Sequence, residues 1–296
     1  MSISHDIALP GGGAPADHVA HIAASAERRT TRCGDGDLMW HVFGAGPPLL
    51  LLHGGFGRWT HWIRNIPTLS RHFRLYVPDL PGHGESAMPP EPYSGPSIAA
   101  IVAEGMRQLL NDDEPYPIAG FSFGGVIGGC LAAQERERIS TLIICGSNGL
   151  GGTIRKIEGL RHWRGVTDPA ELAAVHRNNL EIVMIADPAR VDDLAVHLQS
   201  QNAPAARIKG RLISVTAILA EKLPEVTARI VGIWGRHDSF AAGYLDEREN
   251  LLRAAQPDCA FHVIEDAGHW TPYERPDVVN GLILDALGAT GDQGDG

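Results

Sequence analysis

Short apolar runs alternate with helix-patterned stretches along most of this chain, and that alternation narrows the fold more than any other feature. LLLLH (49–53) is a continuous apolar run of the kind buried on both faces of a parallel sheet. FRLYVPD (73–79), YPIAGF (116–121), TLIICGS (141–147), ARIVGIWG (228–235) and CAFHVIED (259–266) repeat the strand signature. Between them lie helical stretches: 97–110, VIGGCLAAQERER and DERENLLRAA. Ahead of this series, RRTTRC and LMWHVF read as two strands joined by the turn Gly34-Asp35-Gly36-Asp37. Strands alternating with helices predict an α/β chain with a mainly parallel sheet covered by helices on both faces.

One segment breaks the rhythm. Residues 148–223 contain no convincing strand but much helical patterning, as in AELAAVHRNNLEIVMIA and ARVDDLAVHLQSQ. Asp168-Pro169 and Asp187-Pro188 predict helix starts, because aspartate caps a helix and proline suits its first turn. A helical insertion between two strands of one sheet reads as a lid. The expected organisation is a tail and helical arm (1–26), a core made of 27–147 and 224–290, a lid (148–223) and a frayed tail (291–296).

Charge and cysteine usage restrict the partners. Twenty-five Lys+Arg against 35 Asp+Glu give a net charge of −10, which repels phosphate backbones and anionic lipid surfaces. No nucleic-acid or membrane partner is expected, and no apolar run reaches the ~18 residues of a spanning helix. Cys33, Cys130, Cys145 and Cys259 are scattered without metal-ligand spacing, as suits reduced thiols in a cytoplasmic protein. The first twenty residues lack the basic and apolar regions of a secretory signal. Neither metal nor organic cofactor is expected, and a homo-oligomer stays open.

The chemistry concentrates at Gly120-Phe121-Ser122-Phe123-Gly124, followed by Gly125. This is GxSxG between an apolar strand and a glycine-tolerant helix, the setting that gives the motif meaning. A serine forced into so tight a turn adopts strained backbone angles, and its neighbours must be small. The hydroxyl is lifted clear of the sheet at the positive end of the following helix. A serine hydroxyl needs a base, and the base needs an acid that holds one tautomer. His269, in the loop after the strand 259–266, is the expected base, and Asp238, just past the strand 228–235, the expected acid. Asp79 is expected to brace the turn DLPGHGES instead, and Asp266 stands too near His269 in sequence to orient it. The backbone amides of Phe123 and of Gly55, in the loop His53-Gly54-Gly55-Phe56-Gly57, are the expected oxyanion donors, with Phe56 the second choice for the loop amide.

With these residues in place the chain resembles an α/β-hydrolase of the serine-nucleophile branch. LLLLHGG (49–55), VPDLPGHGES (77–86), IAGFSFGG (118–125), IWGRHDS (233–239) and DAGHWTPYERPDVVN (266–280) carry the resemblance, in the family's order Ser, Asp, His. It implies an eight-stranded, mostly parallel sheet with the lid inserted after the sixth strand. It also implies Ser122 as nucleophile, His269 as base and Asp238 as acid. HGG, and GHW followed by Glu274, are similar to the meta-cleavage product hydrolases, which split a carbon–carbon bond in vinylogous diketones. Those enzymes usually carry HGGGPG and an asparagine before the serine; here Phe56 and Phe121 stand there.

An apolar Phe121 removes a polar group that would hold a dienoate, so an ester, thioester or lactone is the first expectation and carbon–carbon hydrolysis the alternative. A catalytically inactive, ligand-binding member of the family and an acyltransferase are the further alternatives. Phe56 and Trp270 are the expected substrate contacts, while Trp59 and Trp62 belong to the core and His61 and His72 to packing or surface. Arg155, Lys156, Arg161 and Arg164 form a basic cluster in the expected lid that reads first as a solvated helix face and second as a receiver of a substrate carboxylate, and Asn178 or Asn179 could turn towards the site.

Overall fold

In the computed structural model, which describes residues 13–110, 114–151 and 156–289, the predicted strands assemble into one sheet. In chain order they are β1 (Glu27–Cys33), β2 (Gly36–Phe43), β3 (Pro48–Leu52), β4 (Arg74–Pro78), β5 (Tyr116–Phe121), β6 (Ile139–Cys145), β7 (Arg229–Gly235) and β8 (Ala260–Ile264). The spatial order is β1-β2-β4-β3-β5-β6-β7-β8. The β1–β2 and β2–β4 pairs are antiparallel and the other five parallel. Cys33 pairs with Gly36, so the first turn is only Gly34-Asp35, tighter than the sequence suggests. Gly34 takes positive φ there, which glycine supplies without steric cost.

The apolar runs are continuous because both faces of the sheet are covered. All five residues of β3 are buried, and successive side chains point to opposite faces. Leu50 and Leu52 enter the core with Trp40, Ile118 and Ile127; Leu49 and Leu51 enter the other with Trp62, Ile143 and Ile233. The helix Phe123–Gln134 is buried from Phe123 through Ala133 and apolar all round, as suits a helix packed on every side. The helix Gly95–Leu109 begins at a reciprocal Ser94–Ser97 cap, which satisfies two end groups at once.

Between β6 and β7 the described residues hold helices and no strand: Pro169–Val183, Asp193–Ala205, Gly210–Ser214 and Ile218–Lys222. Asp168 caps the first of these as expected, accepting the Glu171 N–H at 2.8 Å. The second Asp-Pro step behaves otherwise. Pro188–Arg190 forms only a 3-10 turn, and the helix proper starts at Asp193 with Asp192 as its cap. A second aspartate five residues on offered the better start, because its carboxylate reaches the Ala195 N–H at 2.9 Å.

The expected arm appears as the helix Pro15–Ala24, which buries Ile22. The whole of the expected C-terminal tail, the first twelve residues and Arg155 lie outside the described residues. No helix of the described residues is long and apolar enough to cross a membrane.

Candidate active site

β3 is the strand from which the chain departs in both directions, to β4 on one side and β5 on the other. The crevice at the carboxyl ends of such strands is where α/β sheets place ligands. The loop after β3 and the turn after β5 meet there, joined by the loops after β7 and β8. Ser122, Asp238 and His269 come together at that edge although 147 residues separate the serine from the histidine.

Ser122 has φ +52° and ψ −113°, a conformation that side chains rarely adopt. Two hydrogen bonds and the helix that follows hold it. Its N–H donates to the Cys145 carbonyl at 2.8 Å, Ser147 Oγ donates to the Ser122 carbonyl at 2.7 Å, and the following helix starts at once. The neighbouring glycines are required by close approach. A Cβ on Gly120 would stand 2.5 Å from the Gly124 carbonyl oxygen, and one on Gly124 would collide with the Leu52 carbonyl oxygen.

His269 Nδ1 lies 2.8 Å from Asp238 Oδ2, and His269 Nε2 lies 3.0 Å from Ser122 Oγ. A carboxylate only accepts, so Nδ1 carries the proton, and Nε2 is left to accept the serine hydroxyl. Asp238 Oδ1 is occupied by the Phe240 N–H at 2.9 Å, which aims the other oxygen at the imidazole. Both side chains are almost wholly buried, while Ser122 is partly exposed. Phe121 and Phe240 lie against the His269 ring at centroid distances of 5.1 and 4.7 Å.

Phe123 opens its helix, so its N–H has no intrahelical acceptor. A Cβ built on Gly55 would lie 4.0 Å from Phe123 Cβ, so the two candidate amide donors are neighbours. Phe56 is exposed and takes φ +55°. Asp79 braces its turn as expected, accepting the Glu85 N–H at 3.0 Å, and it also accepts the Trp59 N–H at 3.0 Å from the loop after β3.

Other expectations are corrected. Trp270 is fully buried, its indole N–H given to the His61 carbonyl at 3.1 Å and its ring stacked on Tyr273. It braces the loop of His269 from behind. Of the basic cluster, Lys156 is exposed and pairs with Glu158 at 2.8 Å, and Arg164 lies over Trp163. Asn179 exchanges hydrogen bonds with the Arg161 backbone at 2.8 and 2.9 Å, and Asn178 donates to the Gly159 carbonyl, so both pin a neighbouring segment.

Sequence reasoning assigned His61 to packing or surface; it is a buried histidine at this edge. Burial lowers its pKa to about 3, with the charges of His83 and His269 adding to the effect. Burial likewise lowers His83 to about 4 and holds His53 well below the usual range. Ser147 and Phe240 also went unread, because each sits beside a recognised motif without belonging to it. Glu274 had only the GHW-to-Glu spacing as a signal.

A model of the alpha/beta hydrolase fold family matches residues 47–276. The 2-hydroxy-6-oxo-6-phenylhexa-2,4-dienoate hydrolase of Burkholderia cepacia is 28% identical, covering 82% of this chain and 88% of that one. The pimeloyl-[acyl-carrier protein] methyl ester esterase of Vibrio vulnificus (strain YJ016) is also 28% identical, covering 69% of this chain and 81% of that one. Among solved structures, a meta-cleavage product hydrolase from Pseudomonas fluorescens IP01 superposes with a TM-score of 0.72 at 24% identity, covering 90% of this chain and 98% of that one. That last likeness bears on the fold.

Proposed function

This chain belongs to the alpha/beta hydrolase fold family, and from that premise we propose a serine hydrolase in which Ser122, His269 and Asp238 cleave the bond between a small molecule's carbonyl carbon and its leaving group. The continuous hydrogen-bond line from Asp238 Oδ2 through His269 to Ser122 Oγ, at 2.8 and 3.0 Å, carries this reading.

Ser122 Oγ attacks the carbonyl carbon as His269 Nε2 takes its proton, and Asp238 stabilises the imidazolium that results. The amides of Gly55 and Phe123 receive the oxyanion. Collapse of the intermediate expels the leaving group, which takes the proton from His269 and leaves an acyl-serine. Water, deprotonated by His269, then releases the acid and restores Ser122. The described part of the expected lid, 148–151 and 156–223, acts as a cover over this edge. The four cysteines, all free and buried, support a reducing, cytoplasmic setting.

The bond cleaved is proposed to be carbon–carbon, in a vinylogous diketone. This reverses the order expected from sequence. The dienoate hydrolase matches at the same identity as the esterase over more of this chain, 82% against 69%. Ester hydrolysis is the second reading, favoured by the apolar Phe121 and Phe240 against the His269 ring.

The test is kcat/KM for 2-hydroxy-6-oxo-6-phenylhexa-2,4-dienoate and for p-nitrophenyl butyrate on one preparation, with Ser122→Ala as blank. Preference for the dienoate is expected. Preference for the ester establishes the second reading, and turnover that survives Ser122→Ala rejects both.

A further inference from the structure

We propose that His61 is a positioning residue that aims the Gly55 amide at the oxyanion, acting through Gly54; this rests on the serine-hydrolase reading above. Gly54 must lack a side chain, because a Cβ there would stand 2.9 Å from Phe121 Cε1 and 3.2 Å from Ser122 Cβ. Close approach to the nucleophile therefore requires the residue with the least intrinsic rigidity, at the point where rigidity matters most. Two buried histidines supply it from outside.

The Gly54 N–H donates to His61 Nδ1 at 3.2 Å. On the other side, the Gly54 carbonyl accepts from His53 Nδ1 at 2.8 Å and from the Gly57 N–H at 3.1 Å. His53 Nε2 is occupied by the Leu80 N–H at 2.8 Å, which leaves the His53 proton on Nδ1 for that bond. The Gly54 carbonyl and the Gly55 N–H belong to one planar trans peptide and point in opposite directions. Fixing the carbonyl fixes the amide, and fixing the Gly54 N–H stops the preceding peptide from rotating beneath it.

His61 also reaches the other two loops of the site. Its carbonyl accepts the indole N–H of Trp270, the residue after His269, and its ring lies 5.5 Å from that of Phe121, the residue before Ser122. The ring is a costly choice for packing alone. With Nδ1 accepting, the proton sits on Nε2, and Nε2 finds no partner among the described residues. A hydrocarbon side chain would fill the space without that loss but would leave Gly54 N–H unpaired.

The test compares His61→Asn with His61→Gln. The Asn oxygen can take the place of Nδ1, whereas the Gln oxygen reaches the place of Nε2. The probes are an alkyl trifluoromethyl ketone, which forms a hemiketal with Ser122 and loads the oxyanion site, and the matching methyl ketone, which does not. A residue that merely supports the fold would treat the two probes and the two variants alike.

Wild-type enzyme is expected to prefer the trifluoromethyl ketone. His61→Asn keeps that preference, and His61→Gln loses about tenfold to a hundredfold of it, with kcat falling in step and KM little changed. Equal preference in the two variants overturns the role of His61. A wild type without the preference, or one that keeps it after Ser122→Ala, overturns the serine reading instead.

Discussion

Glu274 Oε2 accepts the Gly268 N–H at 2.7 Å, one residue before His269. The same carboxylate accepts the Ala186 and Asp187 N–H groups at 3.0 and 2.9 Å, and it is wholly buried. One side chain thus ties the loop of His269 to the insertion between β6 and β7. Trp270 N–H to the Met184 carbonyl, at 2.7 Å, and Ser239 Oγ to the Val183 carbonyl, also 2.7 Å, reinforce the seam.

Glu274→Ala leaves three N–H groups without their acceptor. At about 1–3 kcal/mol for each unsatisfied group, less what water recovers, the expected loss is about 3 kcal/mol. Urea unfolding of the variant and the parent measures it; a loss under about 0.5 kcal/mol would mean that the seam carries no stability.

Ser122→Ala, His269→Ala and Asp238→Asn are each expected to lower kcat by about 10⁴-fold or more while the melting temperature holds within a few degrees. Steady-state rates and thermal scans decide this. A near-normal rate in Asp238→Asn would reassign the acid.

Gly120→Ala is expected to cost about 3 kcal/mol or more, because its Cβ meets a backbone carbonyl that no rotamer change can move. Its chemical-denaturation midpoint, set against that of an exposed Gly→Ala control at Gly243, whose Cβ would meet nothing within 4 Å, separates crowding from a general glycine effect. Gly243 has φ +86°, so some strain is expected in the control as well.

Stability is expected to fall as the pH drops below about 6.5. His61 and His83 stay neutral in the folded protein down to about pH 3 and 4, because burial disfavours their charged forms. The unfolded chain protonates them near 6.5, so between pH 4 and 6.5 it binds more protons than the native state. Unfolding free energy therefore rises with pH across that window and levels off above it. These two groups alone give a slope of about 2.4 kcal/mol per pH unit near pH 5.5. Urea titrations from pH 5 to 7 measure the slope; His53, which burial also holds well below the usual range, adds to it, and His83→Gln should lower it by about 1.2 kcal/mol per pH unit near pH 5.5.

The strands, the serine turn and the places of Asp238 and His269 were legible because each is a local property. Continuous apolar runs mark strands buried on both faces, and GxSxG marks a turn whose sterics tolerate little else. Asp238 and His269 followed from their places just past strand ends, since the sheet delivers such residues to one edge. Trp270 was misread for the same local reason. Adjacency to His269 says nothing of which way the ring turns, and burial turned it inward, onto Tyr273 and the His61 carbonyl.

The sequence by itself determined the sheet, its helical cover and the three residues of the triad line, since these depend on periodicity and local sterics. Tertiary structure alone decided that His61 meets Gly54, that Ser147 holds the Ser122 carbonyl and that Glu274 closes on Ala186 and Asp187. Those contacts join segments 7, 25 and 87 or 88 residues apart. Their partners are mostly backbone groups, which every residue carries, so no pattern of side chains announces them.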